Sequence, residues 1–192
     1  MRTAAVVALA SGLLPALAAA DPAAVERLDL TRDGKAACAV VTVGADPAPL
    51  LLDRAADTIL RTVQWWGGAA LPRRHVLATA AIAPPDGPSV ILGTVDALTR
   101  AFPGLAENHP DIGRAATLAP DGFACIPCDI GGARHLAVTG PTPRGVFNGA
   151  LYARDVLIDG PASRLQVEWR HVSRSPHLEG RAAYVLTIWD HE

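Results

Sequence analysis

Apolar and polar positions alternate with two different periods along this chain, which predicts strands mixed with helices. Two runs rich in Val, Leu and Cys flank Asp33-Gly34, a dipeptide that favours tight hairpin turns. After them we predict a helix with Asp46 as its N-cap, Pro47 at its first position and Gly67-Gly68 as its end. The apolar positions at helical spacing in this helix are Leu51, Leu52, Ala55, Ile59, Leu60 and Val63.

The middle of the chain predicts more strands and one short helix. HVLATAAI (75–82) and PSVILGT (88–94) have the composition of strands, and VDALTRAF (95–102) predicts a helix capped by Thr94. Further strands are predicted in GFACIPC and RHLAVTG, on either side of a turn at Gly131-Gly132, and in RLQVEWRHV, where Leu165, Val167 and Trp169 alternate with polar residues. The order of elements predicts an α/β (α+β) domain in which helices pack on a mixed central sheet.

A glycine-rich turn precedes a helical pattern in TGPTPRGVFNGALYARDVLIDG (139–160). Gly140 and Gly145 have the spacing of a phosphate-binding P-loop, but Val146 stands where that loop has its lysine. Pro141 and Pro143 also remove backbone donors that would hold a phosphate. We therefore predict no nucleotide site here.

The same glycines fit a packing role. Gly145, Gly149 and Ala153 fall at i, i+4 and i+8, so they form a smooth stripe that lets a helix approach a sheet closely. Four apolar residues flank the stripe and are expected to fill the core around it: Val146, Leu151, Val156 and Leu157.

The first residues have the pattern of a secretory signal peptide, residues 1–20: Arg2, an apolar run from Ala4 to Leu17, and three alanines before Asp21. We expect a secreted or periplasmic protein with no membrane span after cleavage. The formal net charge is −2, with the two signs interspersed. This charge pattern lacks the basic stripe that neutralises a phosphate backbone, so nucleic acid is not an expected partner.

Candidate chemistry is sparse. Cys125 and Cys128 form CIPC within a strand pattern, which leaves open a redox loop, a structural disulfide or two plain strand residues. The six histidines are widely spaced, and the chain has no H-E-x-x-H and no G-x-S-x-G sequence, so we predict no metal, no cofactor and no serine nucleophile. Trp65-Trp66 is expected to belong to the core at a helix end rather than to a sugar platform.

The succession SVILGT, DGFACIPCD and RHLAVTGPTPRGVFNGALYARDVLIDG resembles the N-terminal accessory domain of exported α-glucuronidases and a related domain of bacterial β-N-acetylhexosaminidases. Their G-x-x-x-R-G-x-x-x-G run corresponds here to Gly140, Arg144, Gly145 and Gly149, and Asn148 stands where those domains usually have a tyrosine. The resemblance covers residues 25–172. It implies a mixed-sheet α/β unit, residues 21–172, that is not itself catalytic.

The C-terminal stretch SRSPHLEGRAAYVLTIWDHE resembles the beginning of the α-glucuronidase (β/α)₈ barrel. We expect residues 173–192 to be a linker and the truncated first part of that barrel, with Trp189 and Asp190 at the sugar-binding end of a strand. Asp190 and Glu192 would share one face of that strand. They could not flank a glycosidic bond as the two carboxylates of a glycosidase do, so no catalytic residue is predicted.

Two functions of different class follow. The resemblance implies a non-catalytic accessory domain of an exported glycoside hydrolase that acts on polysaccharide side chains, and its partners would be the catalytic barrel of the same polypeptide and the saccharide substrate. The alternative is a free-standing exported module that binds carbohydrate through exposed tryptophans.

Overall fold

The computed structural model describes residues 25–79 and 81–175, and the predicted signal peptide and residues 176–192 lie outside this part of the chain. Helices and strands alternate through it. The helices are α1 (Leu50–Gly67), α2 (Val95–Ala101), α3 (Leu105–Asn108), α4 (Pro110–Ala115) and α5 (Pro143–Tyr152), which continues as a π-helical turn over Ala153–Leu157. The strands are β1 (Arg27–Asp29), β2 (Thr31–Arg32), β3 (Lys35–Ala36), β4 (Ala39–Gly44), β5 (Arg73–Leu77), β6 (Ser89–Thr94), β7 (Phe123–Ile130), β8 (Ala133–Gly140), β9 (Ile158–Asp159), β10 (Gln166–Glu168) and β11 (Val172–Arg174).

A six-stranded sheet in the order β11-β7-β8-β6-β4-β5 is the centre of the fold. The strands β8, β6, β4 and β5 run parallel to one another, whereas β7 pairs antiparallel with both β8 and β11. The last strand, β11, extends this sheet to Arg174, two residues past the predicted domain boundary at residue 172. The sheet is mixed, as predicted.

The four inner strands β4, β6, β7 and β8 are buried on both faces, which explains why they are mostly apolar, whereas the edge strands β5 and β11 are largely exposed. Val40 and Leu136 face α1 and α5 in one core cluster, and Val41 and Ala137 face α2, α3 and α4 in the other. The predicted α/β class with helices packed on a mixed sheet is confirmed.

Helix α1 begins later than predicted. Its first residue is Leu50, and Pro49 has the extended backbone of an N-cap, so Asp46 is not the cap. The reason is steric: Ala48 precedes Pro49, and the residue before a proline is forced out of the helical region. The predicted end is right, because Gly68 takes the left-handed conformation after Gly67 and its N–H bonds to the carbonyl of Gln64.

Two local predictions in the middle of the chain are confirmed. Thr94 caps α2 by accepting a hydrogen bond from the N–H of Ala97 at 3.3 Å. Gly131 and Gly132 both have positive φ and connect β7 to β8 as an antiparallel hairpin, a conformation that glycine adopts without steric cost.

The predicted strand at residues 75–82 is shifted. The observed strand β5 covers Arg73–Leu77 and pairs with β4 until Gly44 lies opposite Leu77. Because β4 ends at Gly44, β5 has no partner beyond this point, and the apolar residues that follow leave the sheet. The length of the neighbouring strand decides this boundary.

A second, smaller sheet lies beside the first. It has the order β1-β10-β9 and is antiparallel, and Asp33-Gly34 turns the short hairpin of β2 and β3 next to it. The predicted hairpin is therefore confirmed, but each of its strands has only two residues. The strand predicted over 164–172 is shorter than expected: β10 covers only Gln166–Glu168, and Val172 already belongs to β11 of the central sheet. The predicted alternation holds within this short segment, where Leu165 and Val167 are buried and Gln166 and Glu168 are half-exposed.

The end of α5 departs from the predicted pattern. Ala153 and Leu157 are buried as expected, but Val156 is exposed and does not fill the core. The cause is the π-helical turn, in which the N–H of Ile158 bonds to the carbonyl of Ala153 five residues earlier. One residue more per turn rotates Val156 away from the sheet.

Within residues 25–79 and 81–175, none of the helices combines the length and the apolar character that a membrane span requires.

Candidate functional site

The glycine-rich turn before α5 is built by hydrogen bonds to its own chain. Thr142 is the N-cap: its Oγ1 accepts from the N–H of Gly145 at 3.3 Å and donates to the carbonyl of Pro120 at 2.6 Å. Pro143 occupies the first turn of the helix, where a missing N–H costs nothing. The turn therefore joins α5 to the loop before β7.

The glycines of this stretch lie where backbones approach most closely. A Cβ added at Gly140 would be 2.5 Å from the carbonyl oxygen of Gly122, and one added at Gly145 would be 2.2 Å from the same oxygen. At Gly149 the added atom would meet Val138 Cγ1 at 2.7 Å. No other residue type fits these three positions without movement of the backbone or the core.

Arg144 and Asn148 hold the same loop from the solvent side. The guanidinium of Arg144 lies 3.8 Å from the carboxylate of Asp121 and is exposed, so this ion pair contributes little stability. Asn148 donates from Nδ2 to the carbonyl of Asp121 at 2.9 Å. The residues of the family-like run thus fix α5 to the 119–122 loop.

The cysteines are buried free thiols. Cys125 and Cys128 are on the same strand but belong to opposite faces of the sheet, because three residues along a strand reverse the side-chain direction. The two cannot form a disulfide with each other in this fold. Burial raises the pKa of Cys38, Cys125 and Cys128 to about 12, so they are plain core residues rather than a redox loop.

Two histidines make structural hydrogen bonds. His75 Nδ1 lies 2.8 Å from Thr42 Oγ1, and His135 Nδ1 lies 2.7 Å from Ser89 Oγ in the core. Burial lowers the pKa of His135. In the described part of the chain, His, Cys, Asp and Glu side chains form no group of three or more that could hold a metal ion.

The two adjacent tryptophans of α1 are not in the core, and the prediction that placed them there is wrong. Trp65 is 86% exposed and Trp66 is 50% exposed. The cause is which face of α1 is buried. The last buried positions of the helix are Val63 and Gly67, and Gly67 packs on Leu165, so Trp65 and Trp66 are not on the buried face. Trp65 lies on the outer face, and Trp66 lies at the end of the packed segment.

These tryptophans form one end of a groove between α1 and α5, with a cavity volume of about 560 Å³. The groove is open to solvent and combines aromatic with charged side chains. Its lining residues are Arg54, Asp57, Thr58, Arg61, Thr62, Trp65, Trp66, Phe147 and Arg154.

The charged groups in the groove are not equivalent. Asp57 accepts a hydrogen bond from Arg73 at 3.1 Å, and Arg154 forms a fork with Asp155 at 2.6 and 2.8 Å. Arg54 and Arg61 make no ion pair with any residue of 25–79 or 81–175. The groove therefore has a positive balance next to its aromatic side chains.

The sequence contains a signal for the face of α1 that lines this groove. Arg54, Thr58, Arg61 and Trp65 follow one another at spacings of four, three and four residues, so they share one face of a helix. A tryptophan in a polar stripe of this kind points to solvent.

The other residues predicted to contact substrate, Trp189 and Asp190, lie outside the described residues. Gly140 ends β8, and the other three residues of the run lie in α5: Arg144, Gly145 and Gly149. They contact the β7-β8 hairpin or the loop before β7, and none of them lines the groove.

No protein-family model matches this chain, and no curated protein matches its sequence significantly.

Proposed function

We propose that this chain is a non-catalytic accessory domain of an exported glycoside hydrolase of the α-glucuronidase type, and that it supports a catalytic (β/α)₈ barrel in the same polypeptide. The observation that carries the proposal is the packing of the G-x-x-x-R-G-x-x-x-G run. Gly140, Gly145 and Gly149 lie at contacts that exclude any side chain. The run that resembles the accessory domains is thus a determinant of this fold.

The chemistry of the described residues agrees with a supporting role. The cysteines are buried and protonated at neutral pH, and the buried His135 is held between Ser89 and the carbonyl of Ile130. Glycoside hydrolysis uses two carboxylates across the scissile bond, and the family places these in the barrel.

A second candidate function is a free-standing carbohydrate-binding module. The observation that favours it is the exposure of Trp65 and Trp66 beside Arg54 and Arg61, which form no ion pair within the described part of the chain. An exposed aromatic patch surrounded by polar groups is typical of a surface that binds a ligand or another macromolecule.

The test of the first proposal compares this chain with the polypeptide read from the same gene beyond Glu192. Both are assayed for release of glucuronic acid from glucuronoxylan, together with a version that lacks residues 25–175. We expect no release by this chain and release by the longer polypeptide. The version without residues 25–175 should lose soluble yield and half-life, while the kcat of its soluble fraction is kept. Hydrolysis by the 192-residue chain itself would contradict the proposal.

A further inference from the structure

We infer that the groove between α1 and α5 is a binding site for a saccharide that carries a carboxylate, with a uronic acid unit as the chemical class. The choice of a sugar rests on the proposed function in polysaccharide breakdown. The choice of an anion with an apolar ring face rests on the groove alone.

The aromatic side chains supply a platform for a sugar ring. Trp65 is almost fully exposed to water and Trp66 is half-exposed, and Phe147 adds a partly buried ring across the groove. Placing a large aromatic side chain in water forfeits the free energy that its burial would give. The axial C–H groups of a pyranose form an apolar face that covers such a ring, and the electron-rich ring face attracts them.

Two cations beside the platform are available to an anion. The guanidinium groups of Arg54 and Arg61 lack a carboxylate partner in residues 25–79 and 81–175. They are one α-helical repeat of seven residues apart, so both face the groove. A guanidinium binds a carboxylate through two parallel hydrogen bonds, which a neutral sugar cannot replace.

Hydrogen-bond acceptors for sugar hydroxyl groups are also present. Thr58 and Thr62 line the groove, and each donates its hydroxyl hydrogen to a backbone carbonyl of α1, at 2.8 and 2.7 Å, so each oxygen keeps lone pairs as an acceptor. Thr58 is the more accessible of the two, since Thr62 is largely buried. Asp57 is held by Arg73 through one oxygen and keeps further lone pairs. The groove therefore offers donors to a carboxylate and acceptors to hydroxyl groups.

The shape of the groove favours a small ligand over a protein partner. A volume of about 560 Å³ falls within the usual range of small-molecule sites. The groups that line it stand mainly on one rigid helix, because α1 packs its other face in the core. A second copy of the chain seated on Trp65 is the competing occupant, and the experiment below separates the two.

The experiment is ¹⁹F NMR of the full chain labelled with 5-fluorotryptophan. The sequence has four tryptophans, and single Trp→Phe variants assign the four signals. The chain is titrated with glucuronic acid, with an aldouronic acid, with glucose and with benzoate. We expect saturable shifts of the Trp65 and Trp66 signals with the two uronic acids at millimolar concentration. Trp169 should not move, because its indole N–H bonds to the carbonyl of His135 and Arg134 covers its ring at 3.7 Å.

Two variants test the residues. Arg61→Gln and Trp65→Ala should each raise the Kd for the uronic acid at least tenfold. Arg100→Gln is the matched control, because Arg100 is also a helical arginine but pairs with Asp96 on the opposite layer of the fold. It should leave the Kd unchanged, and circular dichroism should show all three variants folded.

Several results would overturn the inference. If glucose binds as tightly as glucuronic acid, the arginines do not recognise a carboxylate. If benzoate binds as tightly, the groove recognises an aromatic or apolar anion and is not specific for a sugar. Concentration-dependent dimers in sedimentation velocity that disappear in Trp65→Ala would assign the groove to a second copy. All these measurements use this chain alone, so their outcome does not depend on whether a catalytic barrel follows Glu192.

Discussion

Gly145 lies directly over the carbonyl oxygen of Gly122, so close that a Cβ at position 145 would be 2.2 Å from that oxygen. The contact joins the first turn of α5 to the loop before β7. Both partners are backbone atoms, so no rotation of a side chain can relieve a clash. The glycine at position 145 is therefore required by packing. Its P-loop-like spacing from Gly140 does not indicate a phosphate site.

The first prediction concerns this contact. Gly145→Ala should lower the free energy of unfolding by at least about 2 kcal/mol, because the overpacking cost exceeds the helix gain of up to about 1 kcal/mol for alanine over glycine. Gly113→Ala is the matched control: Gly113 is in α4, and a Cβ there would meet nothing within 4 Å. It should be neutral or stabilising in the same urea titration. Equal stability of the two variants would show that the Gly145 contact is not close.

The second prediction concerns a buried hydroxyl in β8. Thr139 is fully buried, and its Oγ1 has no hydrogen-bond partner among residues 25–79 and 81–175. Thr139→Val removes a polar group that is desolvated without compensation and should raise the free energy of unfolding by about 1 to 2 kcal/mol. Thr42→Val should instead lower it by about 1 kcal/mol, since Thr42 Oγ1 bonds to His75 at 2.8 Å. Thermal denaturation of the two variants should give Tm shifts of opposite sign.

The third prediction concerns the thiols. Because burial raises the pKa of Cys38, Cys125 and Cys128 to about 12, native protein at pH 8 should react with an aromatic disulfide reagent at least a hundredfold more slowly than protein in 6 M guanidinium chloride. A reductant should leave the Tm unchanged. A thiol that reacts in the native protein as fast as in the unfolded one would contradict this burial.

The fourth prediction concerns pH. His135 is buried and its pKa is lowered, so the unfolded chain binds a proton more readily than the folded one. Stability is therefore full above the unfolded pKa of about 6.5 and declines as the pH falls towards the folded value, by up to about 1.4 kcal/mol per pH unit. Urea titrations at pH 7.5 and 5.5 should show this decline, and His135→Gln should reduce the difference. An unchanged difference in His135→Gln would assign the decline to other groups.

Local signals in the sequence predicted the structure correctly where that structure depends on a few neighbouring residues. The Thr94 cap, the Gly131-Gly132 turn and the glycine stripe of α5 are of this kind. Each depends on residues within one turn or one helix. The alternation of elements then gave the layered fold, because strands flanked by amphipathic helices have few ways to bury both faces.

Long-range contacts decided the rest. The end of β5 depends on the length of β4, and the exposure of Val156 depends on a π-helical turn that helical periodicity does not foresee. For α1, the local N-cap pattern at Asp46 predicts a start that the restriction of Ala48 by Pro49 does not allow.

The groove was missed for a related reason. Trp65 and Trp66 have large apolar side chains, which predicts a core position, whereas the polar stripe of Arg54, Thr58 and Arg61 continues to Trp65 and indicates exposure. Which helix lies across from that stripe depends on the packing of α1 against α5, and no local pattern specifies it.

The measurement that tests the proposed function most directly is the sequence of the transcript beyond the codon for Glu192. If this chain is an accessory domain, the open frame continues for several hundred codons, with alternating strand and helix patterns and new Glu and Asp residues at the ends of strands. A stop codon immediately after Glu192 would contradict the accessory-domain proposal, and the carbohydrate-binding module would then be the function to pursue.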